Sequence, residues 1–181
     1  MKQTILAALS LVLLGGCQSR PPITTAQHVE LPRFMGDWYV IASIPTFIEK
    51  QAYGAVESYA LASDGTIDTH FTFNKGAFDG PQRRYHPRGF VFDRQSNAVW
   101  GMRFVWPIKA DYRIVYVSDD YSHTIIGRQA RDYVWIMART PTIADADYQR
   151  LLAIVTREGY DPARVLKVPQ RTESPKAAPA R

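Results

Sequence analysis

Gly36-Asp37-Trp38-Tyr39-Val40-Ile41-Ala42-Ser43 reads as a strand entered through a turn. Asp37 to Ser43 is rich in β-branched and aromatic side chains, and Gly36 supplies the turn before it. Seven more runs of this kind follow. Ala55 to Ala62 is separated from Thr66 to Phe73 by Ser63-Asp64-Gly65, a tight-turn signal, because Asp and Gly tolerate positive φ. A polar, Gly-rich stretch runs from Asn74 to Pro87 and reads as loop. Arg88 to Phe92, Ala98 to Val105, Asp111 to Val117, His123 to Gly127 and Asp132 to Arg139 complete the set.

A helix then breaks the pattern. Thr142 is a candidate N-cap, with Asp145 three residues on. Tyr148, Leu151, Leu152 and Val155 fall at i, i+3, i+4 and i+7, which makes one apolar stripe. Gly159 is the stop signal, and Arg164 to Val168 reads as a short final strand. The expected fold class is all-β. It is an eight-stranded antiparallel up-and-down barrel with one C-terminal amphipathic α-helix packed outside. Closure removes the sheet edges, and a barrel of this size holds one small ligand.

The N-terminus points to export. Lys2 precedes an apolar run that ends Leu11-Val12-Leu13-Leu14-Gly15-Gly16-Cys17. The run is short for a membrane span and ends in small residues. It resembles a bacterial lipoprotein signal, which implies that Cys17 is acylated and becomes the first mature residue. An ordinary cleaved signal with an incidental cysteine is the alternative. Gln18 follows where aspartate would favour inner-membrane retention, so the resemblance points to the outer membrane. Residues 1–16 are then signal peptide, 17–30 a tether with Pro21-Pro22, 31–168 the barrel domain and 169–181 a disordered tail.

The chain has 181 residues, of which 46% are hydrophobic and 12% aromatic, enough for one β-rich core. Cys17 is the single cysteine, so the fold rests on its core and its sheet hydrogen bonds. The formal charge is +5, but Lys2 and the residues after Val168 carry three of those charges. The balance is weak evidence for nucleic acid, and no nucleic-acid-binding signature accompanies it.

Period-two alternation picks out an interior face. Trp100, Met102, Phe104 and Trp106 share one face of the fifth run, with Arg103 opposite. Tyr112, Ile114 and Tyr116 alternate with Arg113. Placing these faces inward, with Tyr59, Phe71 and Phe73, gives an apolar wall with a few polar tips. That wall suits an alkyl chain with a polar head. A one-residue register error inverts each assignment.

Gly36-Asp37-Trp38-Tyr39, soon after Leu31-Pro32-Arg33-Phe34, matches the Gly-x-Trp motif of the lipocalins. Val117-Ser118-Asp119-Asp120-Tyr121 resembles the family's second motif, with Asp119 where threonine is usual. Tyr133 to Arg139, followed by Thr140-Pro141-Thr142, resembles the third, an arginine just before the helix. The three stand in order within residues 29 to 168. The resemblance implies a calyx, with Gly36, Trp38, Asp120, Tyr121 and Arg139 as structural residues. Trp38 plugs the closed end, and the Arg139 guanidinium can stack on it and donate to nearby carbonyls. It also makes the basic end of the barrel the open mouth. Lys75, Arg83, Arg84 and Lys109 are candidates there for an anionic head group.

Catalytic patterns are missing from the sequence. His28, His70, His86 and His123 read as scattered, and there is no nucleophile elbow, P-loop or dinucleotide fingerprint. No metal or organic cofactor is implied, and oligomeric state is not legible. The reading is a membrane-anchored carrier of a fatty acid or lysophospholipid, with a role in envelope maintenance or stress. The alternatives are an interaction lipoprotein with a filled barrel, or a lipid-modifying enzyme.

Overall fold

The strand-forming runs pair in chain order, and the last returns to the first. The computed structural model describes residues 21–171. Cys17, the signal region and residues 172–181 lie outside the described residues. The barrel is built from β1 (Gly36–Ile44), β2 (Ala52–Leu61), β3 (Ile67–Lys75), β5 (Arg88–Val91), β6 (Val99–Val105), β7 (Ile108–Val117), β8 (His123–Gly127) and β9 (Val134–Ala138). Each pairs antiparallel with the next, and β1 pairs with β9 to close the cylinder.

Two short strands are added. β4 (Gln82–Tyr85) pairs with the upper half of β3, where Phe73 faces Arg83, while β5 pairs with the lower half. Together β4 and β5 make one interrupted strand. The expectation of a loop from Asn74 to Pro87 is corrected here. Gln82-Arg83-Arg84-Tyr85 has little intrinsic β preference and is recruited by the free edge of β3. β10 (Leu166–Lys167) pairs with Ala42 and Ser43 on the edge of β1 opposite β9, beyond the residues that pair with β2.

The barrel is apolar on two sides where α2 (Asp145–Arg157) covers it. Tyr148, Leu151 and Val155 are buried against Ile41, Ile125, Val134 and Ile136, with Leu152 only partly buried. The helix begins later than expected. Ala144, not Thr142, is the N-cap, and with no polar side chain it makes no side-chain cap. Asp145 and Asp147 still sit in the first turn, where the helix dipole favours negative charge.

The segment expected to be tether is mostly packed. From residue 21 it runs along the outside of the barrel. The Ile23 amide donates to Gln129 (3.0 Å), the Ala26 amide to the Ile114 carbonyl (2.9 Å) and the Val29 amide to the Ser96 carbonyl (2.7 Å). Ile23 and Val29 are buried. Packing against the barrel therefore begins by residue 21 rather than at residue 31. The other boundary shifts as well. Gly54 donates to the Pro169 carbonyl, and the Gln170 amide nitrogen donates to the carbonyls of Val40 and Ala55. Packing thus extends to residue 171.

Candidate ligand-binding site

At one end the barrel is sealed. The short helix α1 (Leu31–Phe34) places Phe34 beneath Trp38, with ring centroids 5.1 Å apart. Both are fully buried. The Arg139 guanidinium lies 3.8 Å from the centre of the Trp38 ring. It donates to the carbonyls of Arg33, Phe34, Met35 and Asp37 at 2.8 to 3.0 Å. Trp38 donates its indole N–H to the Phe34 carbonyl at 2.8 Å. Gly36 takes φ of +93°, and a Cβ there would stand 3.4 Å from the Arg139 guanidinium. Asp120 sits in the β7–β8 turn, accepting from the Ser118 and Ser122 hydroxyls, which holds its carboxyl well below the usual range. Tyr121, at φ of +59°, accepts from the Glu30 amide and lies under Arg33.

Above this plug the interior is packed with rings. Trp100 stacks on Tyr112 with centroids 5.3 Å apart, and the hydroxyls of Tyr59 and Tyr112 bond to each other. Met102 and Ile114 are buried in the same cluster. Phe73 packs against Phe71 and Tyr85.

The opposite end opens onto a cavity of about 190 Å³. Its lining comes from Thr46, Phe47 and Ile48 of the β1–β2 loop, Phe71, Phe104 and Ala110 of the wall, and Tyr133 and Trp135 of β9 and the loop before it. Three charged groups join them: Glu49, Glu57 and Arg128. The volume lies below the ~300 Å³ at which sites for drug-sized ligands begin, which suits a narrow chain better than a ring system.

Two expected interior residues leave the interior. Tyr116 lies in the cluster under the helix, because a bulge between Ile114 and Tyr116 turns Val115 and Tyr116 to the outer side together. Trp106, in the β6–β7 turn, is 79% exposed. Phe104 is half exposed at the rim, past a register shift after Met102. Of the expected ligand-contact residues, Phe71 and Phe104 line the cavity. Trp100, Met102, Tyr112, Ile114, Tyr59 and Phe73 pack behind it.

The expected head-group residues are also distributed differently. Lys75, Arg83 and Arg84 are exposed near the open end, and Arg84 is turned onto Gln82. Lys109 lies on the outer wall, its ammonium 3.9 Å from the centre of the Phe90 ring. None of the four lines the cavity. Arg128 does. One of its terminal nitrogens pairs with Asp132 at 3.2 Å, while its buried Nε has no hydrogen-bond partner among the described residues.

The buried acids are the residues that sequence reasoning missed. Glu57 shares the inward face of Tyr59, two residues on, and that spacing was the available signal. It lies opposite Trp38 on β1 and Phe71 on β3. Burial pushes its carboxyl up to about 7, opposed by a hydrogen bond from Tyr59 and reinforced by the charge of Glu49. Glu49 is likewise pushed up to about 7 by burial, although the Thr46 amide (2.9 Å) and the Trp135 indole (3.0 Å) donate to it. His70 and His86, expected to be scattered, bring their rings to 4.5 Å on the exposed wall.

A closed antiparallel barrel, sealed at one end and open at the other onto an apolar cavity, defines a small-ligand-binding barrel protein. The comparisons agree. Residues 29–170 match the model of the lipocalin-like domain. The chain is 29% identical over 171 residues to the outer membrane lipoprotein Blc of Escherichia coli, covering 92% of this chain and 95% of that protein. It is 30% identical over 161 residues to temperature-induced lipocalin-1 of Arabidopsis thaliana, covering 82% and 83%. Insecticyanin from Manduca sexta superposes with a TM-score of 0.66 at 12% identity, over 83% of this chain and 86% of that one. The chain belongs to the lipocalin family, in its bacterial Blc-like branch, and its barrel is a site for a hydrophobic ligand.

Proposed function

We propose that this protein is a lipid-anchored lipocalin of the bacterial outer membrane that binds and carries a fatty acid or a lysophospholipid. Cys17 carries the anchor. Its position after Gly15-Gly16 supports this, as do the relatives described by name as outer membrane lipoproteins. The single observation that carries the ligand class is the cavity itself. It is a narrow, mostly apolar cavity whose rim holds one buried arginine donor with no hydrogen-bond partner among the described residues. An alkyl chain fits the channel, and burying it contributes roughly 0.8 kcal/mol per CH₂. A carboxylate or phosphate oxygen matches the free Nε of Arg128. Burial pushes the carboxyls of Glu49 and Glu57 up to about 7, which lessens the negative charge an anionic head would otherwise meet. Lys75, Arg83 and Arg84 act at longer range, by attracting anionic lipids to this end. Such a carrier serves maintenance of the envelope.

The test is native mass spectrometry of the protein, titrated with fatty acids and lysophospholipids. Saturable one-to-one binding is expected, with quenching of Trp135 fluorescence. Arg128→Gln lowers affinity for anionic lipids by about tenfold, the loss of one charge-assisted hydrogen bond. It leaves neutral monoglycerides unchanged. Absence of saturable binding for both lipid classes refutes the carrier reading.

A further inference from the structure

The open end differs from the rest of the surface. Phe47 is 85% exposed, Val105 69%, Trp106 79% and Ile108 70%. Phe47 lies on the β1–β2 loop and the others on the β6–β7 hairpin, and both elements frame the cavity mouth. Large apolar side chains rarely cluster on free surface without a partner. The surroundings are basic. Arg103 and Lys109 cover Phe90 on the wall just behind the hairpin, Lys50 follows Phe47, and Lys75, Arg83 and Arg84 lie on the neighbouring β3–β4 hairpin. Exposed Asp79 is the acidic group of that hairpin, while Asp111 and Asp132 are paired with Arg113 and Arg128 and Glu49 is buried.

The start of the described chain lies at this same end. Arg131 and Gln129, of the β8–β9 loop, donate to the Pro21 carbonyl at 2.9 and 3.3 Å. From there the chain descends toward Ser96 at the sealed end. Cys17 precedes Pro21 by four residues. Those residues span at most about 14 Å when fully extended. An acyl group on Cys17 therefore holds the open end, rather than the sealed end, toward the lipid.

We propose that the open end docks on the anionic bilayer that holds the anchor, with Phe47, Val105, Trp106 and Ile108 entering the interface. Trp and Phe prefer the boundary between head groups and acyl chains, and the basic groups around them meet lipid phosphates. The cavity mouth then lies against the membrane, and a lipid passes between bilayer and barrel without crossing water. The proposal takes the Cys17 anchor from the reading above for one of its two supports; the exposed tip is the other.

The test uses the full protein purified from membranes and reconstituted into vesicles of phosphatidylethanolamine and phosphatidylglycerol with brominated acyl chains. Bromine quenches only tryptophans that reach it. Trp38 and Trp100 are fully buried in the protein, and Trp135 lies beside the cavity. The expected result is quenching that falls when Trp106→Phe is introduced, a change at an exposed site that leaves the fold intact. Equal quenching in the two proteins overturns docking, whether or not a lipid in the cavity quenches Trp135. Mass spectrometry of Cys17 reads the anchor separately. An unacylated chain whose Trp106 is still quenched retains the docking and loses only the anchor.

Discussion

Trp38 and Trp106 sit at opposite ends of one barrel. Trp38 is fully buried, capped by a guanidinium and bonded through its indole N–H. Trp106 is 79% exposed in a two-residue turn. The same residue type stabilises the fold at one end and presents a surface at the other. Depth along the barrel decides which. At the sealed end the Phe34 ring touches Trp38, Tyr59 and Trp100, and the donors of Trp38 and Arg139 reach carbonyls. At the open end a cavity opens, two carboxyls are desolvated, and the Nε of Arg128 has no partner among the described residues. Stability concentrates below and binding chemistry above.

Three changes would break or sharpen that contrast. Trp38→Ala removes the plug, and the loss of a fully buried aromatic costs about 3–5 kcal/mol. Urea denaturation reads it directly, and a change under 1 kcal/mol would erase the distinction between the ends.

Glu57→Gln has the opposite sign. Below the ordinary value of 4.5 the carboxyl is neutral in both the folded and unfolded chain. Between 4.5 and about 7 the unfolded chain releases a proton that the folded chain keeps. Stability therefore falls as pH rises across this window and levels off above it. At 1.36 kcal/mol per unit the penalty reaches roughly 3 kcal/mol, less where Glu49 shares it. Glu57→Gln should be more stable than the parent at pH 8 and equal to it at pH 4. Parallel urea curves at the two pH values decide, and equal midpoints at pH 8 would show that burial of this acid carries no cost.

The smallest effect belongs to Phe104→Ala at the rim. Half exposed, it should change unfolding free energy by less than about 1 kcal/mol while weakening lipid binding. A loss as large as that of Trp38→Ala would make the rim part of the core.

Much of this architecture was legible from residue pattern. The eight barrel strands, the outer helix and the closed-end residues Gly36, Trp38 and Arg139 all follow from alternation, turn residues and motif order. The failures share a physical cause. One inserted residue in β7 leaves the apolar pattern plausible yet turns Tyr116 outward, because alternation cannot register a bulge. β6 reads as inward through Trp106, but the barrel ends before the pattern does. β4 has no pattern of its own and exists through its partner. Glu57 was hidden by expectation, since a carboxylate on a tyrosine's face reads as a solvent residue until the closed sheet buries it. Residues 21–30 look like linker because their polar groups find partners that only the finished barrel provides.

The four carbonyls that Arg139 gathers come from residues 33 to 37, more than 100 positions earlier in the chain. The edge of β1 likewise waits for β9. During synthesis the first strand therefore has no closing partner until about residue 138 has emerged. Contacts this distant in sequence make folding slow, because chain entropy is lost before they form. Late closure leaves the half-made protein with an open β1 edge and an unsealed lower end until most of the barrel has been synthesised.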